Sequence, residues 1–147
     1  MRIYLDACCV NRLTDDQTQE RIREESAAIE RILRSVRRDG WIWVSSDVLH
    51  EEIESSPLPG RKSENRTLLA LASELIEIGD FVIERARYLQ SVGYGAFDAM
   101  HLASAESAAV DVLLTTDDKF EKRASRGDGA PRVPVRNPVS WMRETQI

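Results

Sequence analysis

The chain opens with Met1-Arg2-Ile3-Tyr4-Leu5-Asp6, a short apolar run that ends in a carboxylate. Such a run, rich in Ile, Tyr and Leu, is typical of a buried strand. Stretches with helical periodicity separate it from later apolar runs of the same kind, so predicted strands alternate with predicted helices. This alternation predicts a parallel sheet covered by helices on both faces and joined by right-handed crossovers.

Four further apolar runs are predicted to be strands. They are Trp41–Val44, Phe81–Ile83, Val112–Thr115 and the short edge strand Val133–Val135. Helical spacing of apolar side chains predicts helices over Thr14–Arg38, Asp47–Ser55, Lys62–Ile78, Glu84–Val92 and Phe97–Ala109, with a short basic helix after Asp118 and a last helix through Trp141. We predict one α/β domain over residues 1–147, with three α/β/α layers around a central parallel sheet of four to five strands.

Composition narrows the class of protein. The chain has 147 residues, of which 42% are hydrophobic, and this excludes a disordered chain. Its net charge of −5 argues against binding nucleic acid by bulk charge alone. The adjacent Cys8 and Cys9 offer neither an easy disulfide nor metal-ligand spacing, so we expect reduced thiols. With no apolar stretch of membrane-spanning length and no signal peptide, we expect a cytoplasmic protein without a membrane partner.

Acidic side chains follow three predicted strands and open one predicted helix. They are Asp6, Glu52 beside Glu51, Asp98, and Asp117 followed by Asp118. One acid in such a place is usually a helix cap or a turn former. Acids on four separate segments are a different case, because all four lie toward the edge of the sheet where ligands bind. Their like charges repel one another unless a cation lies between them. Oxygen ligands suit Mg²⁺ or Mn²⁺, and this pattern indicates phosphodiester hydrolysis.

Four stretches resemble the PIN domain in their order and spacing. They are Ile3–Asp6, Ser45–Ile53, Phe97–Ala105 and Leu113–Phe120. The set spans nearly the whole chain and most resembles the VapC-like toxins of bacterial type II toxin–antitoxin systems. The resemblance implies a PIN-like fold and a metal-dependent ribonuclease whose acidic quartet holds Mg²⁺ or Mn²⁺.

Carried over by position, the resemblance implies that one set of four acids is both the metal site and the catalytic site. The four are Asp6, Glu52, Asp98 and Asp117. A slip of one residue would make Glu51 the site glutamate. Asp118 is either an outer-sphere fifth acid or a helix N-cap.

The chain departs from the usual pattern directly after Asp6. Many relatives have a small hydroxyl residue and an asparagine there, whereas this chain has Ala7-Cys8-Cys9. The side chains of residues 7 and 8 therefore do not offer the polar contacts to the site that the usual pattern supplies. Asn11 and Thr116 are candidates for orienting a water or a phosphate, and ordinary capping is the alternative role for both.

Charge placement permits an RNA partner despite the acidic total. Residues 115–147 carry seven basic and five acidic side chains, whereas residues 1–114 carry 13 and 20. Basic side chains just beyond Asp117 could meet RNA phosphates or could form only a solvated helix face. They are Lys119, Lys122, Arg123 and Arg126. The resemblance further implies a cognate antitoxin as a protein partner and a homodimer.

The sequence therefore predicts a metal-dependent endoribonuclease, the toxin of a toxin–antitoxin system. The alternative is a non-catalytic RNA- or protein-binding module with the same fold. His50 and His101 could instead do acid–base chemistry without a metal, although packing or hydrogen bonding is the expected role of each. A phosphatase or small-molecule hydrolase is disfavoured, because neither a Gly-x-Ser-x-Gly nor an Asp-x-Asp motif occurs.

Overall fold

A computed structural model describes residues 1–145, in which five strands form one sheet with every strand pairing parallel. The strands are β1 (Arg2–Leu5), β2 (Ile42–Ser46), β3 (Glu74–Ile76), β4 (Val112–Leu114) and β5 (Val135–Arg136). Their order across the sheet is β3-β2-β1-β4-β5. The predicted three-layer α/β/α class with a parallel sheet is confirmed.

The connections between strands are mostly helical. The helices are α1 (Ala7–Arg12), α2 (Glu20–Arg38), α3 (Asp47–Glu54), α4 (Pro59–Leu69), α5 (Asp80–Ser91), α6 (Ala96–Ser107), α7 (Asp118–Ser125) and α8 (Pro138–Thr145). None of these helices is long and apolar enough to cross a membrane.

Two apolar clusters sandwich the sheet, because successive strand side chains point to opposite faces. On one face Tyr4 and Leu113 pack with Leu89 of α5 and Leu102 of α6. On the other face Ile3, Leu5 and Leu114 pack with residues of α1, α2 and α8. Every strand of the central trio is therefore buried on both sides. The carboxyl ends of these strands carry the candidate site.

The third strand is the clearest error of the sequence prediction. The structure has helix from Asp80 to Ser91, so the predicted strand Phe81–Ile83 is the first turn of α5. The actual strand β3 lies inside the predicted helix Lys62–Ile78, of which only the part up to Leu69 is helical. The buried residues Val82, Ala86 and Leu89 follow helical spacing, and this periodicity outweighs the β-branched run at its start.

Smaller differences concern the ends of elements. Helix α2 begins at Glu20 rather than Thr14, and β2 ends at Ser46, two residues beyond the predicted end. Helix α1 has no counterpart in the prediction, because six residues are too few to show a period. It forms because Asp6 caps it and accepts a hydrogen bond from the Cys9 amide at 3.1 Å. Asn137 likewise accepts from the Val139 amide at 2.8 Å and opens α8 as predicted.

Candidate metal and catalytic site

The carboxyl ends of three neighbouring strands deliver three of the four predicted acids. Asp6 directly follows β1, Asp117 lies three residues after β4, and Glu52 lies on α3, which begins directly after β2. The fourth acid, Asp98, is the third residue of α6. Because β1 lies between β2 and β4, the topology places these segments side by side at one edge of the sheet.

Cys8 is a common neighbour of all four acids. Burial raises the pKa of its thiol, and the negative charges of the four carboxylates raise it further. In order of size, these charges belong to Asp6, Glu52, Asp117 and Asp98. The thiol therefore stays protonated and does not serve as a nucleophile. Cys8 directly follows Ala7 at the start of α1, two residues after Asp6.

Asp6 is almost completely buried, with 2% of its surface exposed. Burial raises the pKa of its carboxyl, and the charge of Glu52 raises it a little more. His101, the Thr115 hydroxyl and the amide of Cys9 act in the opposite direction. A buried carboxylate whose charge is opposed by burial and by a neighbouring acid is a candidate for binding a cation.

Asp98 carries the strongest signal of crowded negative charge. Burial raises the pKa of its carboxyl to about 7, and the charges of Asp117, Asp6 and Glu52 contribute to the rise. His101 partly offsets them. A carboxyl with a pKa near neutrality in a cleft of other acids is typical of a functional site.

Glu52 is held by a buried chain of hydrogen bonds. Its Oε1 lies 2.7 Å from His101 Nε2, and His101 Nδ1 lies 2.6 Å from the Tyr4 hydroxyl. The Tyr4 hydroxyl also lies 2.6 Å from Ser46 Oγ. Burial raises the pKa of Tyr4, so the phenol is protonated wherever the protein is folded. Glu51, in contrast, is exposed on the outer face of α3 and has no part in this chain.

The remaining polar candidates have other contacts. Asp118 forms a two-point ion pair with Arg21, at 2.8 Å to each oxygen, and Asp117 rather than Asp118 caps α7. Asn11 accepts a hydrogen bond from Asn65 at 2.7 Å. Both Asn11 and Thr116 line a cleft of about 310 Å³ that Asp117 borders.

The basic side chains beyond Asp117 divide into two pairs. Arg123 and Arg126 lie 3.8 and 2.9 Å from Asp128, so their charge is partly neutralised. Lys119 and Lys122 are exposed on α7. The lysines are therefore the better placed of the four to meet a phosphate.

Two features of this region have no counterpart in the sequence prediction. The first is the chain that joins Ser46, Tyr4 and His101 to Glu52. The second is Arg12, which lines the cleft beside Asp117 and binds Glu25 and Asp15 at 2.8 and 2.7 Å. The hydrogen bonds of this chain join residues that are 42 and 97 positions apart in the sequence, so no local sequence pattern predicts them. A tyrosine inside a buried strand and a histidine one turn after Asp98 are the only hints.

The donor set fits a hard divalent cation. Within residues 1–145, no three acidic, histidine or cysteine side chains lie close enough to hold one ion jointly. Mg²⁺ usually binds one or two carboxylates and keeps several waters, so it does not need such a cluster. The acids offer only oxygen ligands, and their negative charges raise the pKa of the Asp98 carboxyl. Both features fit Mg²⁺ or Mn²⁺.

Known proteins resemble the chain in sequence family and in fold. Residues 3–125 match the family model described as PIN domain. No curated protein matches the chain in sequence.

Two solved structures share its fold, each with a TM-score of 0.61. One is the crystal structure of VapBC2 from Rickettsia felis bound to a DNA fragment from their promoter, with 12% identity over 93% of this chain and 98% of that one. The other is VapBC-1 from nontypeable Haemophilus influenzae, with 15% identity over 94% and 98%. At such identities the likeness establishes the fold alone.

Proposed function

The chain belongs to the PIN domain family, and from that premise we propose that it is a metal-dependent endoribonuclease, the toxin of a type II toxin–antitoxin system. One observation carries the proposal. Four carboxylates from four segments act on the same Cys8 thiol, and three of them help to raise the pKa of the fourth, Asp98, to about 7. Such crowding costs stability unless a cation or a reaction makes use of it.

Each acid has a role that follows from its surroundings. Asp6, held by the Cys9 amide, and Asp98 and Asp117 at their helix ends would bind Mg²⁺ or Mn²⁺ directly or through water. Glu52 would complete the site or accept a proton. When bound, the ion would activate a water for in-line attack on phosphorus and stabilise charge on the departing oxygen. Lys119 and Lys122, with Arg123 and Arg126 beside them, would contact the RNA backbone.

The products distinguish this mechanism from its rivals. In-line attack by water leaves a 5′-phosphate and a 3′-hydroxyl, whereas attack by the 2′-hydroxyl leaves a 2′,3′-cyclic phosphate. We expect the first pair of ends, from a reaction that EDTA abolishes and added Mg²⁺ or Mn²⁺ restores. End-labelling and mass spectrometry of cleaved RNA would check this. Cyclic phosphate ends, or full activity in EDTA, would contradict the proposal.

Substitutions test the assignment of residues. We expect Asp6→Asn, Asp98→Asn, Asp117→Asn and Glu52→Gln each to reduce RNA cleavage at least 100-fold, because each removes a charge from the site. The neighbouring Glu51→Gln is the matched control, and it should keep wild-type activity because its side chain is exposed. Loss of activity in the Glu51 variant together with full activity in the Glu52 variant would exchange the two roles.

The alternative function is a non-catalytic module that binds RNA or protein. The presence of all four acids favours the enzyme. RNA binding without cleavage by the wild-type chain, over a range of Mg²⁺ and Mn²⁺ concentrations, would favour the module.

The proposed partners rest on family resemblance and on exposed apolar side chains. Leu71, Leu75 and Phe81 are each at least half exposed around the edge strand β3 and the start of α5. An antitoxin or a second copy of the chain would cover such side chains. Co-expression with the product of the neighbouring gene should give a complex without ribonuclease activity, and sedimentation of the chain alone should give a dimer. We propose the cytoplasm as the setting for this role.

A further inference from the structure

A hydrogen-bonded chain of three buried polar side chains ends on the partly exposed Glu52 of the candidate site. Tyr4 lies on β1, Ser46 ends β2, His101 lies on α6 and Glu52 lies on α3. Tyr4 and Ser46 are completely buried, and His101 is 1% exposed. Buried polar groups are expensive unless each has a hydrogen-bond partner. The folded protein therefore needs these hydrogen bonds, and their donors and acceptors determine where each proton lies.

The direction of the chain follows from what each atom can donate. Ser46 Oγ accepts from the Leu49 amide at 3.1 Å, so its own hydroxyl proton is free to point at the Tyr4 oxygen. The Tyr4 hydroxyl then donates to His101 Nδ1. The carboxylate of Glu52 can only accept, so His101 Nε2 carries a proton and donates it.

This arrangement gives every proton in the chain one acceptor and needs a proton on Nε2 of His101. An imidazole without that proton would aim the lone pair of Nε2 at the carboxylate oxygen 2.7 Å away, so that two acceptors would face each other. It would also require Tyr4 to accept from His101 and Ser46 to accept the phenol proton. Ser46 Oγ would then accept from both Tyr4 and the Leu49 amide, and its own buried hydroxyl proton would lose its acceptor in the chain.

We propose that Ser46, Tyr4 and His101 are positioning residues that fix the Glu52 carboxylate toward Asp6 and Asp98. A glutamate side chain has many rotamers, and a site that must hold a cation loses affinity when a ligand is free to turn away. His101 lies one turn after Asp98 on α6, so the same helix carries one acid and orients another. Ser46 also caps α3, the helix that carries Glu52. This inference rests on the proposed function, because it names how the proposed site is held.

The first test reads the position of the proton in the metal-free protein. The chain has two histidines, so His50→Gln leaves His101 as the only imidazole. Nitrogen-15 NMR of that variant at neutral pH should show a proton on Nε2 of His101. A spectrum in which Nε2 carries no proton would overturn the inference.

The second test measures Mn²⁺ affinity by calorimetry on the full chain. Loss of a partner that orients a metal ligand typically costs 10–100-fold in affinity, and we expect a loss of about this size for His101→Leu. His101→Gln, which can place an amide donor near the position of Nε2, should recover much of it. Tyr4→Phe keeps the ring and removes only the hydroxyl, so its loss should lie between these two. Where His101→Leu does not fold, Tyr4→Phe carries the test.

Matched controls separate orientation of Glu52 from general damage. Tyr88→Phe removes the hydroxyl of an exposed tyrosine on α5. His50→Leu removes the second imidazole of the protein, which lies on α3, the same helix as Glu52. Both should bind Mn²⁺ as the wild type does. Equal Mn²⁺ affinity in the wild type, His101→Leu and Tyr4→Phe would overturn the inference.

The two proposals fail in distinguishable ways. Absence of Mn²⁺ binding by the wild type, together with absence of metal-dependent cleavage, would refute the proposed function. Wild-type binding and cleavage that Tyr4→Phe and His101→Leu leave unchanged would refute only the positioning role. Wild-type binding that both variants weaken, with the glutamine variant recovering, supports both.

Discussion

The ionisation of Asp98 affects both the candidate site and the stability of the protein. Its carboxyl has a pKa of about 7 because burial and three neighbouring carboxylates oppose its charge. In the unfolded chain the same group has a pKa of about 4. Folding therefore favours the protonated form, and ionisation of Asp98 weakens the fold. A cation bound at such a site would neutralise the negative charge of the carboxylate and so offset this loss of stability.

The sign of the effect on stability follows from linkage. Below about pH 4 Asp98 is protonated in both states, so its favourable contribution is fully present. As pH rises from about 4 to about 7, the unfolded chain ionises first, and the contribution is lost. We expect Asp98→Asn to raise the free energy of unfolding in EDTA by about 1–2 kcal/mol at pH 8, after allowing for solvent screening, and by almost nothing at pH 4.

Urea denaturation of both proteins at the two pH values measures this difference. Saturating Mg²⁺ should stabilise the wild type at pH 8 more than the variant, because the ion gains more from the charged site. A variant that is less stable than the wild type at pH 8 in EDTA would show that the Asp98 carboxyl is not crowded by charge.

The sequence predicts that the four acids lie at one edge of the sheet, but it does not predict the side chains that contact them. An acid that directly follows a buried strand, as Asp6 does, lies at the carboxyl edge by topology alone. Spacing alone does not separate Glu51 from Glu52, since both are acidic and adjacent; in the structure Glu51 is exposed and Glu52 contacts His101. The Tyr4–His101 contact joins β1 to α6 across 97 positions, and no spacing within either element predicts it.

At the scale of elements, α5 and α6 form a pair whose far end is held by a buried ion pair. Glu106 of α6 has no exposed side-chain surface and accepts from Arg85 of α5 at 2.7 and 3.0 Å. It also accepts from the Arg132 amide at 2.7 Å, while Arg85 donates to the carbonyls of Gly129 and Ala130. The pair thus ties both helices to the loop after α7.

Removing one partner of this pair should be severe. Arg85→Met leaves the Glu106 carboxylate buried without its cation, and such a change typically costs about 3–5 kcal/mol of stability. Adding Glu106→Gln removes the buried charge and keeps an acceptor for the Arg132 amide, so we expect the double variant to regain about half of the loss. Urea denaturation of the wild type, both single variants and the double variant completes the cycle. Additive losses in the double variant would mean that the two side chains do not interact.

The misplaced third strand shows where local patterns reach their limit. Phe81-Val82-Ile83 has strong strand propensity, and Glu74-Leu75-Ile76 continues a leucine-rich helical pattern. The structure reverses both assignments, because β3 pairs with β2 through Val44, Ser45 and Ser46. Pairing with a distant strand is a tertiary contact, and tertiary contacts routinely override propensity at short edge strands.

At the scale of the whole molecule, strand order brings the acids of the candidate site to one edge of the sheet, and charge distribution would decide how the proposed RNA substrate approaches it. The parallel arrangement follows from the alternation of strands and helices, but the order β3-β2-β1-β4-β5 does not. That order puts β1 at the centre, so that the ends of β2 and β4 flank Asp6. The edge carries an acidic centre with Lys119 and Lys122 beside it on α7, within a chain of net charge −5.

RNA affinity should therefore depend on where positive charge lies and not on how much there is. In an inactive Asp98→Asn background with Mg²⁺, we expect Lys119→Gln with Lys122→Gln to weaken binding of a single-stranded RNA several-fold. Each lysine that contacts a phosphate releases counterions, so the slope of log K against log salt should become shallower by about 0.7 per lysine.

The matched control removes the same charge from the opposite edge of the sheet. Arg31 and Arg34 are exposed on the C-terminal half of α2, whose end precedes β2 and therefore lies at the amino edge of the strands. Arg31→Gln with Arg34→Gln changes the net charge as the lysine pair does, yet it leaves the candidate site untouched. Fluorescence anisotropy at several salt concentrations compares the two pairs. An equal loss of affinity would mean that RNA responds to total charge, and a larger loss for the arginine pair would move the RNA contact to α2. Only a loss confined to the lysine pair places the RNA backbone beside Asp117.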